Sequence, residues 1–309
     1  MAAKQGVAIL GIFVADLAFR AARQPHMGET VMGSGFKMGP GGKGSNQAVA
    51  AARAGAKVQF ISRLGRDAFG DIAIATWKAE GITPRIVLSD SDPTGAAYIF
   101  VSDQTGDNAI IVVPGAAGTM SADDVEAARD AIEASKVFVT QLEQPLDAAR
   151  RGLEIARAAG TVTVFNPAPA AALPDDIFGL CDYVIPNESE AAGLTGLPVA
   201  SLDEARNAAD RLLRKGAGTA LITLGGRGSL FHSPSQSVVI EPVNAGKVVE
   251  TTGAGDSFVG AFAAALARGL SPLDAARFGS AAAGISVTRP GTAPSMPRLA
   301  EIERLLAAK

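Results

Sequence analysis

The sequence predicts a three-layer α/β/α fold with a mostly parallel central sheet and a small antiparallel β lid. Three observations predict it. After residue 55, short β-branched runs alternate with longer amphipathic ones. Strands separated by helices of about ten or more residues build βαβ units, whose sheet runs parallel and is covered on both faces. Two stretches break that rhythm with alternation around small residues, as antiparallel strands set apart from the body do. Hydrophobic residues are 48% of the 309 residues and charged ones 19%, enough apolar content for a sizeable core and too ordered a composition for a disordered chain.

In chain order, the apolar run from Val7 to Val14 reads as a buried first strand. Lys4 ahead of it imitates the start of a secretory signal, but Asp16 interrupts soon after and no small-x-small cleavage site follows before Arg20. Glu29–Met38 alternates around small residues, and Ala97–Val101 and Ala109–Val113 flank the turn-rich Asp103–Asn108. These predict a lid formed from about 15–40 and 95–113, within a single domain covering 1–309. Predicted strands of the body are Lys57–Ser62, Lys136–Gln141, Thr161–Phe165, Asp182–Ile185 and Ala220–Leu224. Predicted helices are Asp67–Glu80, Ala122–Ala134, Leu146–Ala159, Glu188–Leu194, Leu202–Leu213, Asp256–Ala267 and Pro272–Val287. No run approaches the roughly 18–20 apolar residues that span a bilayer, and the chain reads as cytoplasmic, with no membrane partner.

Composition narrows the chemistry. Lys and Arg total 28 against 31 Asp and Glu, a net charge of −3 with no clustered positive charge, so a nucleic-acid footprint is not expected. One cysteine, Cys181, excludes an internal disulfide. Two histidines, His26 and His232, leave no room for a His-rich metal site.

The 35 glycines gather in three clusters. Thr252-Gly253-Ala254-Gly255-Asp256 precedes an alanine-rich helix. Its glycines let the backbone approach a ligand, and the helix dipole adds positive potential at the same place. An anion is the natural guest, a transferring phosphoryl group above all. Asp256 stands at the edge of this anion hole, where it reads equally as a simple helix cap. Gly39-x-Gly41-x-x-Gly44 satisfies the dinucleotide fingerprint formally, a weak match because the segment before it looks like lid. It lacks the Ser or Thr that a P-loop needs after Lys43. Its alternative is a backbone cradle at Gly41 and Gly42 for a small hydroxylated ligand, with Lys43 and Asn46 adding polar contacts. Gly225–Gly228 follows a predicted parallel strand, which reads either as a ligand loop or as a plain tight turn. Asn187 and Glu190, three apart at a helix start, share one face. They read as an N-cap with a solvated glutamate, or as oxygen ligands near a hydrated Mg²⁺.

From about Val7 to the end, the sequence resembles the ribokinases of the PfkB family of carbohydrate kinases. The resemblance rests on Gly-Gly-Lys-Gly-Ser-Asn-Gln-Ala-Val-Ala-Ala (41–51), Gln-Leu-Glu (141–143) and Phe-Asn-Pro-Ala-Pro-Ala (165–170). It continues in Pro-Asn-Glu-Ser-Glu (186–190), Leu-Ile-Thr-Leu-Gly (221–225), Thr-Thr-Gly-Ala-Gly-Asp-Ser-Phe-Val-Gly-Ala (251–261) and Val-Thr-Arg-Pro-Gly-Thr-Ala-Pro-Ser (287–295). The resemblance implies an ATP-dependent sugar kinase acting on the 5-hydroxyl of ribose, with Asp256 as catalytic base and Gly253, Ala254 and Gly255 as anion hole. It implies ribose binding by Asp16, Gly42, Lys43, Asn46, Glu143 and Asp256, and nucleotide binding by Asn187, Thr223, Gly225, Gly228 and Ser280. It also implies Mg²⁺ held through water by Glu190, an activating K⁺ near Glu250, Thr252, Ser286, Arg289, Gly291 and Ser295, and a homodimer formed lid to lid.

The sequence departs from the family pattern at Val14, where an Asn touches the sugar in some ribokinases. Tyr98 stands in the lid hairpin where a smaller residue is frequent and is expected to narrow the sugar pocket. Ala117 and Glu250 replace an Asn and an Asp. These changes leave open a kinase for another pentose, fructose or a nucleoside. Two further classes compete: a nicotinamide-dependent oxidoreductase on the Gly39–Gly44 match, and a non-catalytic sugar-binding regulator.

Overall fold

All four side chains of β1 (Val7–Leu10) are buried, Val7 and Ile9 against one layer of helices and Ala8 and Leu10 against the other. A strand covered on both faces must lie inside a parallel sheet. The computed structural model describes residues 3–308. After β1 come β2 (Val14–Ala21), β3 (Gly35–Gly41), α1 (Lys43–Arg53), β4 (Val58–Gly65), α2 (Ala68–Ala79), β5 (Thr83–Ser89), β6 (Thr94–Ser102) and β7 (Asn108–Gly115). There follow α3 (Ala122–Glu126), α4 (Arg129–Ala134), β8 (Val137–Thr140), α5 (Leu146–Ala158), β9 (Val162–Phe165), β10 (Tyr183–Val184), α6 (Glu188–Thr195) and α7 (Leu202–Arg214). The chain ends with β11 (Thr219–Thr223), β12 (Ser229–Ser233), β13 (Gln236–Ile240), α8 (Ala254–Arg268), α9 (Pro272–Ser286) and α10 (Leu299–Ala307).

The central sheet has nine strands in the order β13-β12-β11-β10-β9-β8-β1-β4-β5. It is parallel except for β12 and β13, which close one edge as an antiparallel hairpin. One apolar layer gathers α1, α2, α8, α9 and α10, the other α3, α4, α5, α6 and α7. The three layers expected from the sequence are present.

The smaller sheet has the order β3-β2-β6-β7. Its outer pairs are antiparallel, but β2 and β6 at its centre run parallel, so the lid is mixed rather than purely antiparallel. Both central strands leave the body in the same direction, which forces that pairing.

Three element boundaries differ from the sequence reading. The Val7–Val14 run is not one strand: it ends at Leu10, and the chain turns at Gly11 to enter the smaller sheet at Val14. A Cβ on Gly11 would stand 2.5 Å from Gln141 Oε1 and 2.7 Å from Gly44 Cα, so the turn is bound to tertiary neighbours that no local pattern displays. Of Glu29–Met38, only the part from Gly35 is strand. Its partner β2 ends at Ala21, and the pairing runs out with the Ser34 N–H donating to the Arg20 carbonyl at 2.8 Å. The expected helix 122–134 divides at Ala127–Ala128, where neither alanine offers a local reason. Strand β5 escaped the sequence reading because Pro84 interrupts its pattern. It lies at the sheet edge, where a missing N–H is tolerated.

Candidate active site

Parallel strands deliver their following loops to one edge of the sheet, where α/β proteins bind ligands. Glu143 lies beyond β8, Asn166 beyond β9 and Asn187 beyond β10, while Thr223 ends β11. Facing them are the N-termini of α1 and α8.

Gly42 precedes α1 with φ of 89°, and a Cβ there would lie 2.5 Å from the Ile12 carbonyl oxygen. Only glycine suits both demands. The turn aims the Lys43 N–H at Glu143, whose Oε2 accepts it at 2.7 Å. Next to it, a Cβ on Gly41 would overlap the Asp16 carboxylate at 2.1 Å, so the Asp16 side chain lies directly on that backbone.

Gly253 opens α8 in the left-handed region, φ 80°, without a side-chain cap. Asp256 is therefore not a capping residue. It is the third residue of the helix, 7% exposed, and its carboxylate accepts from Asn46 Nδ2 at 3.1 Å and Gln47 Nε2 at 3.0 Å. Helices α1 and α8 can approach closely enough because Gly260 lies one turn further on. A Cβ there would meet the Gln47 carbonyl oxygen at 2.4 Å. Helix-start amides have no intrahelical acceptor, and Gly253, Gly255 and Asp256 line a cavity of about 160 Å³ together with Lys43, Asn166, Asn187, Glu190 and Thr223. Ala254 differs from its neighbours, since its N–H donates to the Thr251 carbonyl at 3.2 Å.

Five ionisable groups meet here. Burial pushes the Asp256 carboxyl up, opposed by the Lys43 charge and by the Asn46 and Gln47 hydrogen bonds. Burial also raises Glu143 to about 7, with Lys43 opposing and Asp256 adding to the rise. Asp16 is raised to about 6 by burial and then by the Asp256 charge. Glu190 is raised by burial, against the Asn187 N–H and Lys43. Burial works against the Lys43 ammonium, but Asp256, Glu143 and Glu190 together outweigh it and hold its pKa up. One lysine thus balances several carboxylates.

A pH dependence follows for the ligand-free protein. Asp16 and Glu143 are raised above their ordinary values of 3.8 and 4.5, so their neutral forms favour the fold. Their contribution is full below those values and is lost as pH rises through about 6 and about 7. Replacing Glu143→Gln mimics the neutral form. The variant is expected to melt a few degrees higher than wild type at pH 8 and nearly equal to it at pH 4.5, as checked by thermal unfolding without ligands.

A larger cavity of about 860 Å³ adjoins the first and shares Asn187, Thr223 and Gly255 with it. Asn187, Thr223, Gly225, Gly228 and Ser280 all line it. Gly225–Gly228 is both a tight turn between β11 and β12 and a cavity wall, so its two readings coincide. Asn187 and Glu190 form a capping box: the Asn187 side chain accepts the Glu190 N–H at 2.8 Å, and Glu190 Oε2 accepts the Asn187 N–H at 2.8 Å. Glu190 is 7% exposed, not solvated. The sequence reading missed the apolar wall of this cavity, which includes Val243, Phe258, Ala283 and Val287. The signal was Gly284, where a Cβ would lie 2.1 Å from the Val243 carbonyl oxygen.

A family profile for pfkB family carbohydrate kinases matches residues 4–299. The chain belongs to this family. A ribokinase of Staphylococcus aureus is 40% identical over 97% of this chain and 99% of its own length. A deoxyribokinase of Salmonella typhimurium is 34% identical over 97% of this chain and 98% of its own. A solved structure of Arabidopsis thaliana ribokinase, complexed with ribose and ATP, superimposes with a TM-score of 0.91 at 29% identity, covering 98% and 99% of the two chains.

Within this pfkB-family chain the Gly39–Gly44 match is no dinucleotide fingerprint. Gly39 and Gly41 end β3 of the smaller sheet, so no strand of the parallel sheet leads into α1. Tyr98 does not lie on the Asp16 face of the smaller sheet. Asp16 pairs with Ala97 across β2 and β6, and alternation places Tyr98 on the opposite face, 5.8 Å from the Phe19 ring. Val14 shares the Asp16 face and is buried in an apolar cluster with Ile12, Ala97 and Ala117.

The segment 249–252 lies beside 286–295. Glu250 Oε2 accepts the Gly291 N–H at 2.8 Å, and the N–H groups of Val249 and Glu250 donate to the Val287 carbonyl. Ser286 Oγ donates to the Ala283 carbonyl and Ser295 Oγ to the Thr292 carbonyl. Arg289 is paired with Glu301, which engages its guanidinium. Thr252 lies between Glu250 and Gly253 on the same loop.

Proposed function

We propose that the protein is an ATP-dependent sugar kinase that phosphorylates the primary hydroxyl of ribose. The observation that carries this reading is the placement of Asp256. Its carboxylate stands between the polar ring of Asp16, Lys43, Asn46 and Glu143 and the amide-lined start of α8, beside the junction of two connected cavities. A sugar held by that ring presents a hydroxyl to the carboxylate, and the larger cavity receives the nucleotide with its apolar wall toward the base.

In this mechanism Asp256 takes the hydroxyl proton as the oxygen attacks the γ-phosphorus, and ADP departs. The Gly255 and Asp256 amides and the dipole of α8 stabilise the charge spread over the transferring oxygens. Lys43 adds positive charge on the sugar side. The smaller sheet covers the sugar and excludes water, which suppresses ATP hydrolysis.

Glu190 and Asn187 offer hard oxygen ligands of the kind a hydrated Mg²⁺ accepts, and Glu190 keeps one carboxylate oxygen outside the capping box. Mg²⁺ supplies charge neutralisation to the phosphates when bound. The oxygens of Glu250, Ser286 and Ser295 and the nearby carbonyls suit a monovalent cation such as K⁺, with Arg289 and Gly291 contributing main-chain oxygen. A cytoplasmic setting agrees with ATP as co-substrate. No helix among the described residues is long and apolar enough to cross a membrane.

A coupled assay across pentoses and hexoses, with and without Mg²⁺ and K⁺, tests the assignment. The expected result is Mg²⁺-dependent ADP release with the highest kcat/KM for ribose, and equal inertness toward all sugars would overturn it. A second reading, a kinase for a pentose lacking one hydroxyl, is favoured by the apolar Val14 beside Asp16, since a lost partner costs a hydroxyl on the order of 1 kcal/mol. Deoxyribose exceeding ribose in kcat/KM decides for it.

The smaller sheet bears exposed Phe36 on β3 and exposed Ile110, Ile111, Val112 and Val113 on both faces of β7. So large an apolar surface marks an interface, and we assign it to a lid-to-lid homodimer. Wild type is expected to scatter light as a dimer and Ile111→Lys as a monomer. A monomeric wild type at working concentration contradicts the assignment.

A further inference from the structure

Gln47 is completely buried, and nothing in the mechanism above yet uses it. Its side-chain amide has three partners. Nε2 donates to Asp256 Oδ1 at 3.0 Å and to Asn166 Oδ1 at 3.0 Å, while Oε1 accepts from Gln141 Nε2 at 2.5 Å. The polarity of this chain is determined end to end. Asn166 Nδ2 donates at 2.7 Å to the Ile185 carbonyl, a group that can only accept. Asn166 must therefore turn its oxygen toward Gln47, which must answer with its NH₂. The Gln47 oxygen then faces Gln141, and the second Gln47 N–H falls on Asp256. Reversing any one amide would set oxygen against oxygen or NH₂ against NH₂. Asn46 also donates to Asp256, from Nδ2 to Oδ2, but its Oδ1 has no partner among the described residues and is left to accept from a ligand.

We propose that Gln47 is a positioning residue for the reaction, a donor of fixed polarity that holds one edge of the Asp256 carboxylate in place. The inference rests on Asp256 being the base. A neutral donor that cannot accept favours the anionic carboxylate, the form that takes a proton. It also leaves the opposite lone pairs of Asp256 for the substrate hydroxyl. Four charged groups face Asp256: Lys43 on α1, which holds it down, and Asp16 on β2, Glu143 beyond β8 and Glu190 on α6, each of which the Asp256 charge raises. None is altered by a substitution at Gln47. A residue that only filled space would leave the protonation of Asp256 unchanged.

The test uses Gln47→Met, which keeps length and removes the polar atoms, and Gln47→Glu, which keeps shape and puts a second carboxyl against Asp256. Both are compared with wild type and Asp256→Asn in kcat, in KM for ribose from pH 5 to 9, and in melting temperature. For Gln47→Met the expected result is a kcat about 10- to 100-fold lower, with KM within about twofold of wild type. The acid limb of the kcat profile should move up by about one pH unit, as for a carboxylate that has lost one charge-assisted bond. In Gln47→Glu the limb should move in the same direction and further, through like-charge repulsion. A folded variant of either kind with the wild-type limb overturns the proposal, as does a kcat that falls only with the fraction folded. A wild type that phosphorylates no sugar, or an Asp256→Asn variant with full kcat, would instead remove the reading on which the proposal rests.

Discussion

Asp256→Asn is expected to lower kcat by about a thousandfold while leaving sugar affinity within a few-fold of wild type. The amide keeps the volume and one acceptor, but it cannot take the hydroxyl proton, and a positioned base contributes about 10²–10⁴ in rate. Stability should not fall with activity. The native carboxylate is buried and its protonation raised by desolvation, so exchanging it for a neutral group removes a cost of folding. Steady-state kinetics, sugar titration and thermal unfolding of the same preparation check all three expectations. A loss of kcat accompanied by lost sugar binding would point to a positioning role for Asp256 instead.

The second large effect is expected at Lys43→Met. Asp256, Glu143 and Glu190 all hold the Lys43 ammonium in its charged form, and it holds each of them down in return. Removing one partner of such a buried group costs about 3–5 kcal/mol because it leaves uncompensated charge. Without Lys43 the carboxyls rise further, so more of Asp256 is protonated at neutral pH and kcat/KM is expected to fall by at least about a hundredfold. The stability loss carries a sign. Carboxyls raised above their unfolded values destabilise the fold as they ionise, so the variant should melt well below wild type at pH 8.5 and close to it at pH 4.5. Equal deficits at both pH values would mean that Lys43 acts through packing rather than charge.

Much of this arrangement is legible in local sequence because its signals are local. A glycine-rich turn before an alanine-rich helix gives away a helix start that lines a cavity, and Asn187-x-x-Glu190 gives away a shared helix face. Parallel strands announce themselves by the helices between them. What escaped reading depends on tertiary neighbours. The turn at Gly11 is imposed by Gly44 and Gln141, more than thirty and more than a hundred positions away. The face on which Tyr98 lies is set by register with β2, which one strand cannot reveal. Glu190 looked solvated because a capping glutamate usually is, yet it is buried beneath the site. Gln47 is the clearest case, since its role requires residues 141, 166 and 256 to meet.

The most direct measurement is a structure of the protein with ribose and a non-hydrolysable ATP analogue. The expected result is a sugar primary hydroxyl within about 2.6–3.2 Å of an Asp256 oxygen, with the terminal phosphate against the Gly255 amide on the far side of that hydroxyl. A hydroxyl bound elsewhere, with the Asp256 carboxylate touching only Asn46 and Gln47, would contradict it.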